Sequence, residues 1–154
     1  MEGLKVTNST FDLALSLKFE SENTLDWLSD FLGIYPTTYI PKGTSQFDFI
    51  KYDKNIWILT KKYSNYNGND PIGIDSFLDS ISNLLPKIED IKQHINCSFR
   101  VSVVSEWAQI CYTIKPDSLA ILNRLSIPLE MSVLSWGHCI DSDVEKTGAG
   151  LHEP

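Results

Sequence analysis

Residues 11–33 read FDLALSLKFESENTLDWLSDFLG and change period part-way along. In the first nine, Phe11, Leu13, Leu15, Leu17 and Phe19 alternate with Asp12, Ala14, Ser16 and Lys18. Side chains point to opposite faces along a strand, so this alternation predicts a strand with one buried face. From residue 25 the apolar residues recur at three and four: Leu25, Leu28, Phe31 and Leu32. That spacing puts them on one side of a helix. Ser21 or Asn23 can cap its start, and Glu22 and Asp26 suit the positive end of its dipole. Gly33 offers a left-handed stop, and Pro36 prevents the helix from resuming.

Outward from this unit the chain alternates between the same two periods. Residues 37–46 form a loop with Pro41 and Gly43, and 47–63 read as two strands joined at Asp53–Lys54–Asn55. Residues 64–73 are a polar loop by composition. Ile74, Phe77, Ile81, Leu84, Ile88, Ile91 and Ile95 then hold a helical stripe, with Pro86 predicting a kink or a break. NCSFRVSVVSEW and AQICYTI each alternate and read as a hairpin turning around residues 104–108. KPDSLAILNRLSI reads as a helix started by Pro116 or capped by Asp117, burying Leu119, Leu122 and Leu125. PLEMSVLSW is the last strand.

The expected order is therefore β-α-β-β-α-β-β-α-β, an α+β fold with one antiparallel (mixed) sheet and helices on one face. From residue 47 onward the β-α-β-β-α-β pattern is that of a ferredoxin-like core, which the N-terminal strand and helix would extend. Residues 1–140 read as a single domain, and 141–154 as a polar C-terminal tail. Two segments echo each other: a strand runs into a helix that ends in Leu32-Gly33-Ile34 before Pro36, and again in Leu125-Ser126-Ile127 before Pro128. Internal duplication and convergent helix-ending chemistry both account for that echo.

The pattern resembles the bacterial family known as domain of unknown function 4279. The similar stretches are FDLALSLKF, FLGIYPTTYIPKG, NIWILTKKY before a long helix containing LLP, SFRVSVVSE and PDSLAILNRLSIPLEMSVL, together spanning residues 11–136. The shared features are structural, and the family brings no agreed catalytic residue. The resemblance also suggests toxin-neutralising immunity proteins, a role taken by some small acidic domains of this kind.

The chain of 154 residues has a formal net charge of −7 and three cysteines, Cys97, Cys111 and Cys139. A sparse, odd cysteine count describes buried thiols in a reducing compartment, not a disulfide framework. With no secretory signal core in MEGLKVTNST and no apolar stretch of about 20 residues, the expectation is a cytoplasmic protein that does not enter a membrane. An acidic balance argues against nucleic acid as a ligand. It fits a basic protein partner such as a toxin domain, and it fits plain solubility.

No phosphate-binding glycine loop and no nucleophile elbow is present, so no cofactor is expected. WGHCIDSD offers His138, Cys139, Asp141 and Asp143, and HINC offers His94 and Cys97. Adjacent donors in an extended chain point apart, so neither a zinc site nor a nucleophilic pair is expected. Glu106 beside Trp107 is a carboxylate whose acidity a ring could weaken, but turn glutamates are usually solvated. An enzyme would need Glu106, His138, Cys139 and Asp141 to converge in one cleft. Lys42, Lys51, Lys54, Lys61 and Lys62 give residues 42–63 a net +3, leaving −10 for the rest. Interleaved with Phe47, Phe49, Tyr52, Trp57 and Tyr63, they read as a lysine-guarded edge hairpin with core aromatics.

Two acidic clusters remain as candidate partner-binding residues: Glu22, Asp26 and Asp30 on the first helix, with Glu20 nearby, and Asp70, Asp75 and Asp79 at the start of the long helix. The expected function is a non-enzymatic protein-binding domain. The second reading is a small-molecule binding or sensing module on the open sheet face, using Lys18, Arg100, Gln109 and Thr113. The oligomeric state is left open.

Overall fold

The computed structural model describes residues 11–46, 50–66, 73–107 and 113–138. The expected 141–154 tail therefore lies outside the described residues. The opening strand, β1 (Phe11–Ser21), pairs antiparallel on both edges, with β5 (Asn55–Tyr66) and β6 (Asn96–Trp107). Its odd-numbered residues from Phe11 to Phe19 are almost fully enclosed, from Phe11 at 3% exposed to Leu15 and Phe19 at 0%. Leu17 lies between Leu59 and Phe99, and Phe19 between Trp57 and Cys97, so the apolar face runs across three strands.

After β1 comes α1 (Asp26–Leu32), which buries Leu28 and Leu32 together with Leu25 at its N-cap. Neither Ser21 nor Asn23 caps it. The Thr24 hydroxyl accepts the Asp26 N–H at 3.3 Å and donates to Asp26 Oδ2 at 2.6 Å. Gly33 takes the left-handed conformation, φ +78°, and ends the helix as expected. Strand β2 (Thr38–Ile40) follows and pairs with β5.

The expected hairpin within 47–63 does not form. Ser45–Gln46 (β3) and Ile50–Lys51 (β4) make a separate two-stranded ribbon, and residues 47–49 lie outside the described residues. Strand β5 instead inserts between β2 and β1. Its Trp57 and Leu59 match the apolar face of β1, a larger gain than a local turn at Asp53–Asn55 offers.

The long helical stripe is broken, as Pro86 predicts: α2 (Gly73–Ser80), a 3-10 turn (Ser82–Leu84) and α3 (Leu85–Ile91). Pro86 sits in the first turn of α3, where its missing N–H costs no helical bond. After β6 comes α4 (Pro116–Leu125), then β7 (Leu129–His138), which lies parallel to β6. Pro116 opens α4, but Leu119 points to solvent and Ser118 is buried in its place. The strand expected at 108–114 falls mainly on residues 108–112, outside the described residues, and Thr113 and Ile114 carry no strand. Between Phe99 and Val104, β6 has β1 on one side and β7 on the other, which leaves no edge for a hairpin partner.

The five-stranded sheet has the order β2-β5-β1-β6-β7. The observed element order thus departs from β-α-β-β-α-β-β-α-β. Two crossovers interlock: β1-α1-β2 straddles β5, and β5-α2-α3-β6 straddles β1. The helices all contribute to one buried cluster with β1.

Helix α3 also closes the ends of its neighbours. Lys87 Nζ donates to the Phe31 carbonyl at 2.7 Å, and Lys92 Nζ to the Leu125 carbonyl at 2.6 Å. Both carbonyls belong to last helical turns that lack in-helix donors and carry partial negative charge. The echo between the two helix ends extends to the backbone, because Ser126 is left-handed as well, φ +51°.

Two substitutions test this packing. Trp57 is 1% exposed, meets Phe19 edge-on and donates from Nε1 to Ser29 Oγ at 3.1 Å. Trp57→Ala is expected to cost about 3–5 kcal/mol in urea unfolding. Ser126→Gly relieves a left-handed non-glycine residue and is expected to add about 0.5–1 kcal/mol in the same assay.

Candidate functional site

On the sheet face opposite the helices, β1 presents Ser16 and Lys18. The Ser16 and Thr60 hydroxyls share a hydrogen bond of 2.9 Å. Lys18 Nζ lies 3.3 Å from Glu20 and 3.6 Å from Glu130. Arg100 reaches Glu130 Oε2 with Nε at 2.9 Å and with its terminal nitrogen at 2.7 Å. Arg100, followed by burial and the Lys18 charge acting in opposite directions, leaves the Glu130 carboxyl below its usual range. The charges expected on this face therefore satisfy one another. Thr113 is exposed and outside any strand, and Gln109 lies outside the described residues. A concavity of about 480 Å³ opens where β6 begins, beside this network; Glu20, Lys92, Asn96, Ser98, Ser126 and Glu130 are among its walls. Arg100 does not line it.

In the second acidic cluster, Asp75 is tied up internally. Asp75 on α2 faces Lys115, with Nζ 2.8 Å from Oδ2, and accepts the Ser118 hydroxyl of α4. Lys115 first and Ser118 second hold its carboxyl below the usual 3.8. Asp79 is exposed on α2, and Asp70 lies outside the described residues. As a pair, Asp75 and Ser118 fasten α2 to α4.

The first cluster is different. Glu22, Asp26 and Asp30 are all exposed, on or just before α1. The Thr24 hydroxyl, and then Tyr39, lower the Asp26 carboxyl further. Beside these carboxylates stand aromatic rings that helical spacing assigned to the core or passed over. Trp27 is 43% exposed, Phe31 37% and Tyr35 80%. Trp27 and Phe31 meet edge-on at 5.8 Å between centroids. Trp27 Nε1 donates to the Thr24 carbonyl at 3.2 Å, and the Lys87 ammonium lies 5.8 Å from the Phe31 ring centre. The Trp27 and Phe31 rings are thus held in place within the chain itself. Their positions, four residues apart and off the Leu25–Leu28–Leu32 stripe, were the available signal in the sequence.

Among the described residues, groups with chemical potential do not gather. Among the described residues no three His, Cys, Asp or Glu side chains stand together as a metal site. Burial pushes the Cys97 thiol up to about 12, so it is not a ready nucleophile. Glu106 is an exposed residue within β6, not at a turn. Cys139, Asp141 and Asp143 lie outside the described residues, and of His138 only the backbone is described. The lysines of 42–63 are dispersed: Lys51 is on β4, and Lys61 and Lys62 are on β5, with Lys61 Nζ 5.4 Å from the Tyr63 ring centre. Among the described residues no helix is long and apolar enough to cross a membrane.

A family model described as Domain of unknown function (DUF4279) matches residues 9–136. The chain belongs to this family. No curated protein and no solved structure matches it.

The Asp75 tie has a pH signature. A depressed folded-state value means that its stabilisation is complete above the unfolded value of 3.8 and is lost as pH falls through the lower folded value. Asp75→Asn is expected to lower the urea midpoint at neutral pH. The gap from the parent protein should close progressively below pH 3.8.

Proposed function

We propose that this chain is a non-enzymatic protein-binding domain of the immunity type, which masks a basic toxin domain by docking through α1. The observation that carries this reading is the fixed Trp27–Phe31 pair set among Glu22, Asp26 and Asp30. Interfaces draw most of their affinity from a few aromatic anchors, and surrounding charge sets the encounter rate and selects the partner. Rings already pinned by Thr24 and Lys87 lose little freedom on binding. Carboxylates flanking them favour arginine and lysine on the other side, and an arginine can stack on Trp27.

The frame that presents α1 is, in this reading, a ferredoxin-like core of β1-α1-β2-β5-α2/α3-β6, extended at its C-terminus by α4–β7. The interlocked crossovers support it. A cytoplasmic setting fits the half-buried Cys97 thiol, which needs no disulfide partner. The concavity beside Glu130 favours the second reading, a small-molecule module, with the ligand placed at the start of β6 instead of over Arg100.

The test is co-expression with the product of the adjacent gene. A stoichiometric complex is expected, with affinity falling as salt rises. Trp27→Ala should weaken it by about 2 kcal/mol or more, roughly thirtyfold. The double variant Asp26→Lys, Asp30→Lys should slow association. A complex indifferent to salt and to Trp27 would count against α1 as the docking surface.

A further inference from the structure

The two edges of the sheet are built differently. Strand β2 is three residues long and lies between Pro36 and Pro41, which is how natural sheets blunt an edge. At the opposite edge β7 runs for ten residues with neither a lysine nor a proline in it. Apolar side chains stand exposed on both of its faces. Met131 (56%) and Val133 (58%) are on the helix side, and Leu134 (50%) and Trp136 (66%) follow toward the other, next to Val104.

Glu130 is the sole charged residue between Leu129 and Trp136, and Lys18 and Arg100 already hold it. A basic partner finds no free carboxylate here. The chemistry that fits is another uncharged strand edge. In a chain of net charge −7, this is also where two copies approach with least repulsion.

We propose that β7 is the interface of a homodimer, in which the β7 strands of two copies pair antiparallel across a two-fold axis near Met131 and Val133. The backbone supports the alignment. The Phe99 N–H donates to the Pro128 carbonyl at 2.9 Å, and Phe99 lies opposite Leu129. In a parallel ladder the even-numbered residues of β7 therefore direct their amides toward β6, and Met131 and Val133 direct theirs outward. A two-fold places the same apolar residues of each copy against one another. It joins the two sheets into one whose remaining edges are both the blunted β2, so the assembly closes at two.

The test is the solution mass of the full chain at high micromolar concentration. The expected mass is twice 17.4 kDa. Val133→Pro deletes an outward amide and leaves the β6 ladder whole, so it should give a monomer with native circular dichroism. Met131→Lys should also give a monomer, by placing like charges across the axis. Leu134→Pro, whose amide points at β6, should lose the fold instead. Trp27→Ala, on α1, should stay dimeric. A monomeric parent protein, whether because β7 has no partner or because residues 139–154 cover it, overturns the proposal. So does a Val133→Pro or Met131→Lys variant that remains a folded dimer.

Discussion

The enclosure of β1 is the constraint that organises this protein. Five side chains, from Phe11 to Phe19, are removed from water on one face of one strand. Such a strand needs partners on both edges and a lid across its face. Leu59 and Trp57 of β5, and Phe99 and Val101 of β6, widen the apolar strip on either side. The helices supply the lid, and α3 holds the ends of α1 and α4 with Lys87 and Lys92. The hydrophobic term does this work, because paired surface charges such as Arg100 with Glu130 contribute at most about 1 kcal/mol each.

A strand buried in the middle also decides what is left for the outside. The opposite face of the sheet is occupied by short hydroxyls and a self-neutralised set of charges, and it offers little unspent electrostatic attraction. The unsatisfied features lie at the flanks. Helix α1, packed near β5 through Trp57 and Ser29, carries aromatic rings and exposed carboxylates. Strand β7, at the far end of the sheet, carries exposed apolar side chains and a single acidic residue, Glu130, already held by Lys18 and Arg100. One surface is acidic and aromatic and the other is apolar, and they lie on opposite flanks of the sheet.

Periodicity made some of this legible. Alternation in residues 11–19, the Leu25–Leu28–Leu32 spacing, Gly33 and Pro86 each act locally, and each element formed where they put it. Pairing is not local. Alternation marks 55–63 as a strand, but whether it turns back on 47–52 or inserts beside β1 depends on which apolar face it meets. At the candidate site, carboxylates were readable and rings were not. A helix shows its apolar residues without saying how much of its circumference the core will take, and here Leu25, Leu28 and Leu32 already filled the available space. The tie from Asp75 to Ser118 was not readable, since Ser118 is far along the chain. In β7 the signal was present in the sequence, because Met131 and Val133 fall on one alternation and Leu134 and Trp136 on the other.

The order of β1 in the chain carries a cost during synthesis. It precedes both of its neighbours in the chain, yet Leu15 is completed on one side by Lys61 and on the other by Val101, which is made much later. Until then the nascent chain holds an oily ribbon with an open flank, and α1 is the nearest cover available to it. Contacts this distant slow folding and lengthen exposure to aggregation. The short helix α1, which follows β1 directly and packs into the same cluster, is the earliest apolar cover that the chain itself can offer that face.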